Sequence, residues 1–318
     1  MLNRRLIRIK VFKVLYAAES CGTALLSSAE KELLLSCERT LDLYFFLLNL
    51  CPAICRLAGS KVEAGKNKFN PTESELNAST RLVDNRFAAM LSEDEDFQKM
   101  CSKKGFLWDE YDVLVKKLYS SAVASEYYQE YMAAEEDSMR NDCRFFINFF
   151  TEELEDNEML WDMLEEKSVY WADDLGFVLN VIIRDLEAVS AGGSLPTHRV
   201  FLKDDDRTFA LQLLSASMGH FDEYLKIMQS NVPNWDPDRI VRVDSMLVVM
   251  GIAEAVAFPS IPIKVTINEY VDISKFYSTP NSHTFVNGLL DVILRKMQES
   301  GEIVKSGRGL YTGAPKNE

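Results

Sequence analysis

An all-α protein is what this sequence predicts, and three observations predict it. Apolar residues recur at helical spacing along most of the 318 residues, and β-hairpin turn signals are essentially absent from the central segment. Breaks rich in proline, glycine and small polar residues separate the periodic stretches.

The elements follow in chain order. Ile7, Val11, Val14, Leu15 and Ala18 form one stripe of an amphipathic helix that Cys21-Gly22-Thr23 ends. Ser27 and Glu30 have the spacing of a capping box that opens a second helix through Leu33, Leu34, Leu41, Phe45 and Leu48, with Pro52 ending or kinking it. Gly65 to Ser79 is a polar loop, and Thr72 with Glu75 offers a second capping box. From Arg81 to Ala188 the chain is acidic, aromatic and helical in period. Its stripes include Tyr111, Leu114, Val115, Leu118 and Tyr119, then Phe145, Phe146, Phe149 and Phe150, then Val178, Val181, Ile182 and Asp185. Ala191-Gly-Gly-Ser-Leu-Pro196 is a linker. Helices are then expected over 204–218, 221–229, 236–257, 263–277 and 282–298, with breaks at Pro259 to Pro262 and Ser278 to Pro280. The tail from Gly301 is expected to be loose.

Length and composition allow a full core, as one large domain or two ordinary ones. No apolar run is expected to span a membrane and no signal-peptide order opens the chain, so a soluble, cytoplasmic protein is expected. Six cysteines do not make a disulfide scaffold. Cys51 and Cys55 share a helical face, as reduced core thiols or a metal pair, the core being favoured. The net charge of −14 is unevenly spread. Asp84 to Glu187 holds 26 acidic and 10 basic residues, whereas Met1 to Ala18 holds five basic residues and no acid. The N-terminus is thus free to approach phosphate despite the overall charge.

Candidate binding residues concentrate at that end. Arg5, Arg8, Phe12 and Tyr16 line one strip of the first helix, with Arg4 in its first turn. Guanidinium groups grip phosphate bidentately and stack on unpaired bases, and aromatic rings also stack. Spacing alone leaves a merely solvated face open. Asn281 and Ser282 suit plain capping or phosphate contact at a helix start. His283 reads as a structural residue beside them. Gly288 inside a helix suggests close helix packing. Catalytic motifs are missing: there is no P-loop, no dinucleotide glycine pattern and no C-x-x-C pair, so an enzyme is not expected. His198, His220 and His283 lack ligand spacing. Asp204-Asp-Asp206 fits a solvated helix start better than a metal site, and no cofactor is expected.

The run from Pro262 through Val265, Ile267, Glu269 and Lys275, followed by Ser282 and Phe285-Val-Asn-Gly-Leu289, resembles the signature of the NusB family of RNA-binding transcription antitermination factors. Trp235 to Asp244, with Glu254 closing an apolar helix, is similar to a second family pattern. Arg4, Arg5 and Arg8 before Val14-Leu-Tyr16 resemble the family's arginine-rich opening helix, although Leu6 stands where arginines are frequent and Asn281 where the family usually has Asp. The resemblance implies RNA contact by Arg4, Arg5, Arg8, Phe12, Lys264, Lys275, Asn281, Ser282 and His283. It implies a protein-partner interface at Tyr16, Asp238 and Asp244, although Asp244 also fits an ordinary exposed helix position.

By the same resemblance the function is antitermination. The protein would bind single-stranded boxA-type RNA together with NusE, a small-subunit ribosomal protein, within an RNA polymerase antitermination complex that favours ribosomal RNA transcription. A homodimer is one assembly the sequence permits. The alternative is a scaffold that kept the fold and lost RNA binding, and a link to ribosomal-RNA cytosine methyltransferases is disfavoured because no catalytic domain accompanies the fold. The expected organisation is NusB-like helices over 1–50, an acidic helical insertion over 51–195, a NusB-like bundle over 196–300 and a flexible tail over 301–318.

Overall fold

The computed structural model describes residues 1–22, 25–232 and 241–310. It divides into two compact units. The first holds Met1–Cys37 with the chain from Val200 onward, and the second holds Glu38–Arg199. Among the described residues there is no strand, only an isolated bridge between Leu2 and Phe201 in the first unit.

The first helix, α1 (Arg4–Cys21), starts where the Asn3 carboxamide accepts from the Leu6 N–H at 2.9 Å. It stops at Gly22, whose φ of 70° is costly for any residue with a Cβ. Then α2 (Leu26–Leu48) crosses the unit boundary. It begins one residue before Ser27, so Ser27 lies inside the helix rather than capping it. Pro52 neither ends nor kinks α2: it sits in the first turn of α3 (Leu50–Lys66), where its missing N–H breaks no helical bond. The break falls at Asn49, whose amide donates to the Phe106 carbonyl at 2.7 Å. Leu26–Lys66 contains an 18-residue window apolar enough to cross a membrane by composition, but 78% of that window is buried within the structure, as in a core helix.

The second unit continues through α4 (Glu73–Leu76), α5 (Arg86–Glu93), α6 (Glu95–Lys104), α7 (Asp112–Ala124), α8 (Glu126–Ala133), α9 (Met139–Glu153), α10 (Glu158–Lys167) and α11 (Leu175–Ser190). The expected capping box forms at α4: Thr72 Oγ1 accepts from the Glu75 N–H, and the Glu75 carboxylate accepts from the Thr72 N–H. Within this unit α9 packs along α11, and its buried Phe145 and Phe146 rings meet Tyr131 of α8 and Phe87 of α5. Phe46 stacks on Trp108 at 4.4 Å and on Trp171 at 5.2 Å. Each indole N–H finds a carbonyl, on Phe46 and Arg39 respectively. Cys51, Cys55, Cys101 and Cys143 are buried here, and burial pushes all four thiols up.

The first unit is completed by α12 (Asp204–Gly219), α13 (Phe221–Ser230), α14 (Arg242–Ala257), α15 (Ile263–Tyr277) and α16 (Ser282–Glu299). The helix expected from Asp236 begins instead at Arg242, because Val241 before it is extended; residues 233–240 lie outside the described residues. Buried on nearly all sides, α14 is the hub against which α1, α12, α13, α15 and α16 pack. Gly251 lets α16 come close: a Cβ there would meet Leu290 Cδ2 at 2.7 Å. Gly288, expected to mediate such packing, is instead exposed with nothing within 4 Å of a would-be Cβ. The tail is not loose through Leu310. Ile303 is buried, and the Lys305 ammonium, 7% exposed, donates to the carbonyls of Ala255 at 2.7 Å and Phe258 at 3.1 Å. Residues 311–318 lie outside the described residues.

Candidate nucleic-acid interface

The N-terminal turns of α1 lie against α12, α14 and α15, and the three arginines meet three different environments. Arg8 is the inner one, 3% exposed. Its guanidinium donates twice to the fully buried Glu254 carboxylate, at 2.6 and 2.9 Å, and once to Glu269 at 3.3 Å. Thr266 Oγ1 at 2.9 Å and the Tyr270 hydroxyl at 3.2 Å also donate to Glu254. That carboxylate therefore accepts four hydrogen bonds, from α1 and α15, which is what makes a buried charge tolerable. Burial works against the Arg8 charge, but the Glu254 hydrogen bonds and charge outweigh it and raise its pKa. Burial, then the neighbouring Glu254 charge, pushes the Tyr270 phenol well up, so it remains a donor.

Arg5 points outward. Nε and Nη2 donate to the two Glu269 oxygens at 3.2 and 3.1 Å, and Nη2 also reaches Asp272 at 2.9 Å. The Glu269 hydrogen bond leads the causes that raise its pKa. Asp272 in turn accepts from Lys275 at 2.7 Å. Lys275 first, and then Arg5, hold the Asp272 carboxyl below its usual range. Arg4 donates from Nε to Asp206 at 3.2 Å, while Asp206 accepts the Lys203 N–H at 3.1 Å and so caps α12. The Phe209 ring lies beneath both Arg4 and Arg8, at 4.8 and 5.2 Å from the guanidinium carbons.

An open groove runs past Arg4, Lys203, Pro262, Val265, Glu269 and Arg308. Arg4, Arg5, Lys264 and Lys275 are exposed at this part of the unit, as are Lys203 and Arg308. Sequence reasoning missed the last two. Lys203 was hidden beside an acidic run, and Arg308 stood in a tail assumed loose. Beyond Asp272 lies an aromatic group. Phe12 contacts Tyr277 at 5.7 Å and Tyr16 at 6.2 Å, Lys13 lies 5.4 Å over Tyr277, and Arg242 lies 5.5 Å over Tyr16. Phe276, the residue before Tyr277 on α15, is 81% exposed.

The strip expected from spacing is thus only partly a surface. Arg8 and Phe12 are buried, because the helix turns both toward the core beside the Ile7 and Val11 stripe, so neither offers its side chain to RNA in this structure. Ser282 is corrected likewise. It is the first residue of α16, and its buried hydroxyl donates to Asp244 at 2.7 Å while Ser278 donates to the other oxygen at 2.6 Å. Asp244 is therefore an internal acceptor and not an exposed partner contact. Asn281 is exposed but makes no side-chain cap bond, and His283 is half-buried. Of the partner-interface candidates, Tyr16 is 38% exposed and Asp238 lies outside the described residues.

Together these features define an all-α bundle whose basic N-terminal helix is clamped across the signature helices α14 and α15. The comparisons with known proteins make the class specific. The sequence profile of the NusB family matches residues 194–295. The transcription antitermination protein NusB of Salinibacter ruber is 39% identical over 114 residues, covering 35% of this chain and 71% of that protein. Its counterparts named NusB in Chloroherpeton thalassium and Thermodesulfovibrio yellowstonii are 32% and 38% identical, over 53% and 61% of their own lengths. The chain belongs to the NusB family. No solved structure matches it.

Proposed function

We propose that the protein is an RNA-binding transcription antitermination factor that acts in the cytoplasm. It binds boxA-type single-stranded RNA together with the NusE ribosomal protein and joins an RNA polymerase antitermination complex. The observation that carries this reading is the clamp of α1 on α15. Arg5, Glu269, Asp272 and Lys275 form a continuous chain of ion pairs at the surface, with Arg4 and Lys264 exposed nearby. Such pairs fix the cations in place, so phosphate meets groups already oriented. RNA must share these cations with their carboxylates, which lowers the affinity each contributes. Tyr16, Phe276 and Tyr277 supply faces on which unpaired bases stack. We further propose that the acidic second unit is an insertion in the family framework.

The test is a filter-binding titration with boxA-type RNA over a range of salt. Arg4→Ala with Arg5→Ala should weaken binding and lower the salt slope by about one for each phosphate no longer neutralised. Unchanged affinity and slope would refute RNA contact by α1. The second reading is a scaffold without RNA binding, favoured by the internal pairing of Arg4, Arg5 and Arg8. Copurification with NusE but no mobility shift with the RNA would select it.

A further inference from the structure

The second unit holds a groove that the proposed function does not use. Val113 and Leu114 of α7 and Met159 and Met163 of α10 form its apolar floor, with Tyr111 at one side. Val113 is 62% exposed and Met159 half-buried, while Leu114 and Met163 are buried, so the open apolar surface is that of Val113 and Met159. The carboxylates of Glu110, Asp112, Asp162 and Glu166 stand around it.

We propose that this groove docks an amphipathic helix of another protein, one that carries lysine or arginine beside its apolar stripe. Met159 and Met163 are four apart on one helix face, and methionine adapts its shape to whatever side chains enter. A helix lies in such a groove through anchors at i, i+3, i+4 and i+7. Charge complementarity selects its flanks. Lys116 pairs with Asp112 at 2.5 Å and Lys167 donates to the Tyr111 hydroxyl at 3.1 Å. Four rim carboxylates against these two cations leave the rim negative. An uncharged apolar helix would desolvate those carboxylates without partners, whereas basic flanks supply them. Nucleic acid and anionic lipid meet the same negative charge and are repelled. A second folded copy does not provide the helix from α1, its basic opening helix, because α1 buries its apolar stripe in its own unit.

Fluorescence anisotropy on the full chain tests this. The probe is a synthetic helix with leucine at i, i+3, i+4 and i+7 and lysine on both flanks. The controls are the same helix with glutamate flanks and a lysine peptide of scrambled order. The lysine helix should bind, and each control should bind at least about tenfold more weakly, the effect of losing an anchor or a set of charge partners. Val113→Asp should weaken the lysine helix about tenfold, and Asp162→Lys with Glu166→Lys should weaken it while admitting the glutamate helix. All three positions face solvent or the rim, so the fold survives, and circular dichroism checks it. Equal binding of the scrambled peptide would reduce the groove to nonspecific acidity and overturn the proposal. So would undiminished binding by Val113→Asp, or no binding of the lysine helix to the full chain.

Discussion

The two units handle charge in opposite ways. The first carries 18 acidic and 18 basic residues, and the second carries 31 acidic and 17 basic, so the whole net charge of −14 belongs to the second. The contrast extends inward. In the first unit the buried Glu254 is answered by a buried cation, Arg8. In the second, the cations that meet buried carboxylates are themselves exposed, Arg39 and Lys104 on Asp42 and Arg86 on Asp142, and neutral hydroxyls supply further donors. Thr40 donates to Asp174 at 2.5 Å, Tyr131 to Asp142 at 2.7 Å and Tyr44 to Asp185 at 2.9 Å, with His198 also on Asp185. A buried cation makes each member dependent on the other, whereas an exposed cation keeps its water when the partner is lost and a hydroxyl is one donor among several. The difference sets a graded series of outcomes.

The largest expected effect is on the ion pair. Glu254→Ala should destabilise the first unit by about 3–5 kcal/mol, because it strands the Arg8 charge in the core. Hydrogen exchange of the α1 and α14 amides reads this, and equal loss of protection in α9 and α11 would break the comparison. Tyr44→Phe removes one donor from Asp185 and should cost the second unit about 1–3 kcal/mol, measured by the same exchange in α11. A cost as large as that of Glu254→Ala would show that hydroxyls and cations are not distinguished in this way.

Two glycines of the first unit sharpen the packing side. Gly251→Ala forces a Cβ against Leu290 and should destabilise by about 1–3 kcal/mol. Gly288→Ala, in open helix, should stabilise by about 0.5–1 kcal/mol. Calorimetry of both variants must show opposite signs. The smallest effect is at the surface. Because the folded pKa of Asp272 is lowered, its contribution is present above its unfolded value of about 3.9 and is lost as pH falls through the folded value. Carboxyl NMR should place that midpoint below about 3.9, and Lys275→Ala should move it upward. A midpoint at or above the unfolded value would mean that the exposed pairs fix nothing.

Much of the fold was legible because its punctuation is local. Gly22 ends α1, Thr72 and Glu75 box α4, and Pro262 opens α15. The periodic stripes of α9 and α11 gave buried faces, and even Asp185, an odd member of its stripe, is buried with partners from Tyr44 and His198. The site was legible in its residues but not in their pairing. Arg8 and Glu254 both stood within family patterns, yet nothing local joins residues that far apart in sequence. A helical wheel places Arg8 near the stripe without saying whether a carboxylate waits there. Ser282 and Asp244 failed for the same reason, since capping is a local rule and their bond is not. Gly251 and Gly288 look alike in sequence, and only the neighbouring helix tells them apart.

The division of the chain also has a consequence for the order in which it is made. The second unit is one continuous stretch and can fold as soon as Arg199 has emerged from the ribosome. The first unit cannot: α1 packs on α12 and α14, which are synthesised only after the entire second unit. Its amphipathic, basic opening helix therefore waits with its apolar stripe uncovered. Closure comes only after α12 to α16 have followed and Lys305 reaches the carbonyls of Ala255 and Phe258.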